Sequence, residues 1–181
     1  MDVPESNGKM THKNTLFTGL PGCGKSTIIE KIVQRIDRPS SGFFTREIRD
    51  RGQRVGFSIT TLDGQHGILA HIDIRSSRHV GRYGINLQDI DQIAVPSMVP
   101  ANDQVVVVVD EIGKMECFSA LFRQTLIEAL DSANTVVGTI ALKGDAFIEA
   151  VKKRPNTLVM RVSEKNRDYL VEEFFPTEGR S

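Results

Sequence analysis

A chain of 181 residues holds material for one well-cored domain and is short for two. Its 23 basic and 23 acidic side chains cancel to a formal charge of zero, so no broad field favours nucleic acid or an anionic membrane, and any polyanion must be met locally. Val105 to Val109 is too short an apolar run to span a bilayer, two cysteines give no disulfide framework, and residues 1–14 lack an apolar signal core. The expectation is a soluble, cytoplasmic protein with no membrane partner; since no separate apolar stripe remains once a core is assigned, a monomer is the default.

Residues 1–13 are polar and aperiodic and read as a disordered leader, leaving 14–181 as the single domain. A short apolar run ending at Thr18 predicts a strand, and Ile28, Ile29, Ile32, Val33 and Ile36 predict the helix behind it. Between them stand Gly19, Leu20, Pro21, Gly22, Cys23, Gly24, Lys25, Ser26 and Thr27, satisfying G-x-x-x-x-G-K-[ST]. Any short pattern can be matched by a glycine-rich turn, but strand before and helix after are the context a phosphate-binding loop needs. The glycines let successive N–H groups point at one anion, and the helix N-terminus adds its positive dipole end. Lys25 then lies along the β- and γ-phosphates, and the Ser26 hydroxyl ligates Mg²⁺. Cys23 reads as a small residue that fits the loop, with a redox role as the minor alternative.

Pro39 stops the first helix, and the chain turns β-rich. Gly42 to Arg49, Arg54 to Leu62 and Gly67 to Ile74 are separated by Asp50-Arg51-Gly52-Gln53 and Asp63-Gly64-Gln65-His66, which predicts an antiparallel meander over 42–74, a flap or extension of the main sheet. Ser76 to Asn86 reads as a loop with clustered cations, and Leu87, Ile90, Ile93 and Ala94 mark a short helix that Pro96 ends. The valine run closing on Asp110 suits a strand buried on both faces. Then follow a helix from Phe118 to Leu130, a strand over Thr135 to Leu142, a helix over Asp145 to Lys153, a strand over Thr157 to Val162 and a helix over Glu164 to Phe174. Strands alternating with helices predict an α/β sandwich on a mainly parallel sheet.

Val105 to Glu111 reads as a Walker B strand. Asp110 emerges at the C-terminal end of the sheet, where it can hold Mg²⁺ directly or through water, and Glu111 is placed to polarise an attacking water. The plainer alternative is that Glu111 caps the next turn. The acidic pair suggests the subclass with an extra strand between the Walker A and Walker B strands, so Thr135 to Leu142 is expected there. Extra positive charge for a γ-phosphoryl transition state could come from Arg46, Arg49, Arg54, Arg78 or Arg82, and Thr139 and Lys143 are candidates for the γ-phosphate. His12, His66, His71 and His79 show no metal-ligand spacing.

In Gly19 to Thr27, G-F-F-T-R-E-I-R over 42–49, Gly56-Phe57, Val80-Gly81-Arg82-Tyr83 and D-E-I-G-K-M-E over 110–116, the chain resembles the small P-loop nucleoside-triphosphatases of the cancer-related type, from about Asn14 to the Asn166-Arg167-Asp168 stretch. The resemblance implies a RecA-like fold and Mg²⁺-dependent hydrolysis of ATP, GTP and other nucleoside triphosphates with loose base selectivity. It carries phosphate binding to Gly19 through Thr27, metal to Ser26 and Asp110, and the base to Glu111. It also raises Glu47 and Arg49 above Arg46 and Arg54. Two other readings stay open: a nucleotide or polynucleotide kinase, and a slow nucleotide-dependent switch, although Lys165-Asn166-Arg167-Asp168 does not match the guanine signature N-K-x-D.

Overall fold

The computed structural model describes residues 13–174, so the expected leader, apart from Lys13, lies outside the described residues. Strand β1 (Asn14–Thr18) is buried at all five positions and runs parallel between β8 (Val136–Ile140) and β9 (Thr157–Arg161). Beyond β8 lies β7 (Val106–Ile112), then β2 (Ser40–Asp50), both parallel to the strands before them. The order among the described residues is β5 (His79–Val80), β6 (Tyr83–Ile85), β4 (His66–His71), β3 (Gln53–Thr61), β2, β7, β8, β1 and β9, in one sheet. The strand over 136–140 therefore does separate the phosphate-loop strand from the one that carries Asp110.

Alternation along the central strands makes two cores. Leu16, Val107 and Val109 face one side with Phe43, Phe122, Leu126 and Ile148; Phe17, Val106 and Val108 face the other with Ile28, Ile29, Ile32 and Leu170. Helices α1 (Lys25–Arg35) and α6 (Arg167–Phe174) cover the second face, while α4 (Ala120–Asp131) and α5 (Ala146–Lys152) cover the first. A strand sandwiched in this way needs apolar residues at both parities, the pattern Val105 to Val109 displays.

The meander is an extension of that sheet. Strand β2 pairs with β7 over Ser40 to Phe44 and with β3 (Gln53–Thr61) from Phe43 to Asp50, and β4 (His66–His71) follows. Arg51 and Gly52 both have positive φ, 46° and 80°, as a two-residue type I′ loop requires. Gly42 has φ 118°, and a Cβ there would meet the Val108 carbonyl oxygen at 1.9 Å, so the crossing from parallel to antiparallel pairing needs a glycine.

Two stretches differ from the sequence reading. Within the expected loop 76–86 lies a small hairpin, β5 (His79–Val80) and β6 (Tyr83–Ile85), turned at Gly81; strands of two and three residues are too short to show a period. Pro96 does not end the next helix. Helix α2 (Leu87–Asp89) runs into a π turn over Ile90–Ala94 and then α3 (Val95–Ser97), so Pro96 falls in a first turn, where its missing donor is not needed.

Candidate active site

The phosphate loop leaves β1 at Thr18 and enters α1 through Gly24, which has φ 99° and whose carbonyl accepts from Ile28 N at 3.1 Å. Lys25 Nζ donates to the carbonyls of Gly19 (3.2 Å) and Leu20 (3.4 Å), which holds its charge across the loop. Cys23 is a buried free thiol whose sulfur fills the space beside Gly19, as a loop-packing residue should.

Asp110 closes the run of five successive buried residues that opens β7, at 1 % exposure. Its Oδ1 accepts from Thr139 Oγ1 at 2.7 Å and from Ser26 Oγ at 3.3 Å, so the two expected metal ligands meet at the start of α1. Oδ2 is buried with no hydrogen-bond donor, and its nearest cation is Arg46 Nη1 at 3.9 Å. A buried carboxylate lone pair lacking a donor, next to a serine hydroxyl, fits a hard divalent cation that takes one or two protein oxygens and completes its shell with phosphate and water. Among the described residues no group of three or more His, Cys, Asp or Glu side chains could hold a metal. Thr139, a γ-phosphate candidate in the sequence, is instead fully buried and spends its hydroxyl on Asp110.

Glu111 follows on the rim of the same strand. Burial raises its pKa, and the neighbouring Asp110 adds to that while Lys25 opposes it. Asp110 is raised as well, by burial against the opposing hydroxyls of Thr139 and Ser26 and the charges of Arg46 and Lys25. Glu116, the last carboxyl of the D-E-I-G-K-M-E run, has no role that the sequence alone assigns. It is 4 % exposed, and burial, with the charges of Glu111 and Asp110, pushes it up to about 8. Both Glu116 and Glu111 crowd Gly113: a Cβ there would lie 2.8 Å from Glu116 Oε2 and 3.8 Å from the Glu111 carboxyl carbon. The acidic cluster was visible only as spacing in D-E-I-G-K-M-E, and nothing in that spacing tells a buried carboxyl from a solvated one.

A cavity of about 860 Å³ opens in front of these groups. The phosphate loop from Gly19 to Thr27, except Cys23, forms its floor; Thr45, Arg46, Glu47, Arg54 and Phe57 of the meander form one wall; Glu111 and Lys143 line the other. Arg49 is not brought into it. Its Nε and Nη2 donate to Glu47 Oε2 at 2.9 and 2.6 Å and its Nη1 to the Gly52 carbonyl at 3.0 Å, so it braces the hairpin turn. A bulge in the β2–β3 register falls between Ile48 and Arg49, and such a break is invisible in an alternating pattern. Arg54 does reach the cavity, held by Glu47 Oε1 (2.9 Å) and the Tyr83 hydroxyl (3.1 Å) and lying over the Phe57 ring. Arg46 pairs with Glu30. No helix among the described residues is long and apolar enough to cross a membrane.

A family model described as NTPase matches residues 14–175. The nucleoside-triphosphatase THEP1 of Thermotoga petrophila is 43 % identical over 159 residues, covering 87 % of this chain and 88 % of the relative. The human cancer-related nucleoside-triphosphatase is 35 % identical over 176 residues, 88 % of this chain and 93 % of its own. The crystal structure of THEP1 from Aquifex aeolicus superposes with a TM-score of 0.82 at 32 % identity, covering 92 % of this chain and 99 % of that one.

Proposed function

The chain belongs to the NTPase family, and from that premise we propose that it is a Mg²⁺-dependent nucleoside-triphosphatase, hydrolysing ATP, GTP and other nucleoside triphosphates to the diphosphate and phosphate with loose base selectivity. The observation that carries this reading is the meeting of Ser26, Asp110 and its donor-less Oδ2 beside Glu111 at the phosphate loop. The domain from residue 14 onward acts as one catalytic unit, with the meander as the wall of its cavity.

The loop amides and Lys25 bind the β- and γ-phosphates. Ser26 and Asp110 would hold Mg²⁺, which supplies neutralisation of phosphate charge when bound. Glu111 accepts a hydrogen bond from a water and takes its proton as the water oxygen bonds to the γ-phosphorus. The bond from that phosphorus to the β–γ bridging oxygen breaks, and the diphosphate leaves. The raised pKa of Glu111 supports this role, because a more basic carboxylate takes a proton from water more readily. Arg54, fixed by Glu47 and Tyr83 on the opposite wall, is better placed than Arg49 to add positive charge; Arg49 acts through Glu47.

The test is phosphate release with Mg²⁺ and each of ATP, GTP, CTP and UTP, for the wild type, Lys25→Ala and Glu111→Gln. Turnover of several nucleotides, lost in both variants but with binding retained in Glu111→Gln, is expected. Phosphate transfer only with an added hydroxyl acceptor would replace hydrolysis by a kinase reaction, and binding without turnover would leave a switch.

A further inference from the structure

Arg167, the first residue of α6, has no part in the hydrolytic machinery, yet it lies against the phosphate loop. A Cβ at Gly24 would sit 3.1 Å from Arg167 Cδ and 3.6 Å from Nη1, so the arginine stem lies across the glycine that precedes Lys25. Its guanidinium makes no hydrogen bond among the described residues. The carboxylate nearest to it, Asp168 Oδ2, is 3.8 Å from Nε, and Asp168 Oδ1 is bonded to Lys31 at 3.1 Å. The turn that presents Arg167 is nonetheless fixed. Asn166 Oδ1 accepts from Ser163 N (2.8 Å) and Ser163 Oγ (3.1 Å), Asn166 Nδ2 donates to the Arg161 carbonyl (2.9 Å), and Val162 N donates to the Thr18 carbonyl (2.7 Å) at the end of β1. Ion pairs Lys31–Asp168 and Arg35–Glu172 join α6 to α1. Arg167 thus combines a firmly held base with a half-exposed planar head whose one ion pair, to Asp168, is long.

The sheet order says which part of the ligand. Along the C-terminal edge come β7 with Asp110 and Glu111, then β8, then β1 with the phosphate loop, then β9 leading to Arg167. Neighbouring strands are about 4.8 Å apart. With the γ-phosphate at Glu111, a triphosphate lying along the loop runs from β7 towards β9, and its nucleoside emerges on the Arg167 side. We infer that Arg167 is a nucleoside clamp, its guanidinium plane stacking on the base of the bound nucleoside triphosphate. The inference rests on the triphosphate site proposed above. Every base has a π-face that a guanidinium plane can cover, so a stacking clamp holds any nucleotide without reading its hydrogen-bonding edge. Such a clamp predicts loose base selectivity, whereas a pocket of hydrogen-bonding groups would discriminate.

The test separates the nucleoside from the phosphates. Affinities of the full chain for ATP, CTP and inorganic tripolyphosphate, each with Mg²⁺, are measured by calorimetry for the wild type, Arg167→Ala and Arg167→Lys. Arg167→Ala is expected to weaken ATP by roughly 5- to 150-fold, the range of one lost stacking contact, and CTP by less because its ring is smaller. Tripolyphosphate affinity stays within about twofold, and Arg167→Lys, which keeps the charge but not the plane, fails to restore ATP binding. Equal weakening of tripolyphosphate, full rescue by lysine, or unchanged ATP affinity would each overturn the clamp while leaving the triphosphate site standing. A wild type that binds neither ATP nor tripolyphosphate would overturn the site and the clamp together.

Discussion

Glu116→Gln is predicted to stabilise the protein at neutral and alkaline pH and to change the way its stability depends on pH. In the folded chain the carboxyl is pushed from an ordinary 4.5 to about 8 by burial and by Glu111 and Asp110, against backbone N–H donors at Glu116 and Gly113. Below pH 4.5 both folded and unfolded chains hold this proton, and the group favours neither. Between 4.5 and 8 the unfolded chain releases it while the folded chain keeps it, so the folded state binds more protons and stability falls as pH rises. Above about 8 the loss is complete. At 1.36 kcal/mol per tenfold change in proton affinity, the interval from 4.5 to about 8 corresponds to about 4–5 kcal/mol. That is a large part of the ~5–15 kcal/mol that holds a domain together. Glutamine has the same shape, still accepts the backbone hydrogen bonds and cannot ionise. Urea denaturation of both proteins from pH 4.5 to 8.5 measures the difference: near zero at the acid end, it should grow in favour of Glu116→Gln to several kcal/mol. Parallel stability curves for the two proteins, or a difference that shrinks as pH rises, would refute a protonated carboxyl behind Gly113.

Thr139→Val, which keeps the shape and removes the donor to Asp110 Oδ1, should cost about 1–3 kcal/mol in denaturant unfolding and weaken Mg²⁺ activation about tenfold or more in a metal titration of phosphate release. Gly42→Ala places a Cβ 1.9 Å from the Val108 carbonyl oxygen at φ 118°, so a loss above about 3 kcal/mol is expected, read as a lowered thermal midpoint or insoluble expression. Arg54→Ala should lower kcat more than Arg49→Ala, because of the two only Arg54 lines the cavity; the reverse order in steady-state kinetics would return catalysis to Arg49.

What could be read in the sequence was whatever a local pattern forces. The glycine spacing before Lys25 can hardly build anything but a loop between a strand and a helix, and a run of valines ending in Asp110-Glu111 has few homes other than the middle of a parallel sheet. Even the position of β8 between β7 and β1 followed from the acidic pair. The losses occur where a single backbone irregularity or a distant neighbour decides. The bulge at Ile48 and Arg49 leaves Arg49 holding the hairpin turn; the π turn before Val95 carries Pro96 into a first turn; Gly81 folds a hairpin too short to be periodic. Thr139 and Glu116 have the right chemistry for several roles, and only burial against Asp110 and Gly113 selects one.

The position of β1 has a consequence for biogenesis. Asn14 pairs with Val136 on one side and with Thr157 on the other, so the first strand to emerge during synthesis waits for the last two before it is enclosed. The β2–β3–β4 ladder closes over short separations and can form while the rest of the chain is still being made. The phosphate loop leaves β1 at Thr18, whose carbonyl accepts from Val162 just beyond β9, and is therefore set at the final step. A nascent chain cut between β4 and β9 should carry a formed meander and an unformed nucleotide site, so that triphosphate binding itself reports completion of the fold.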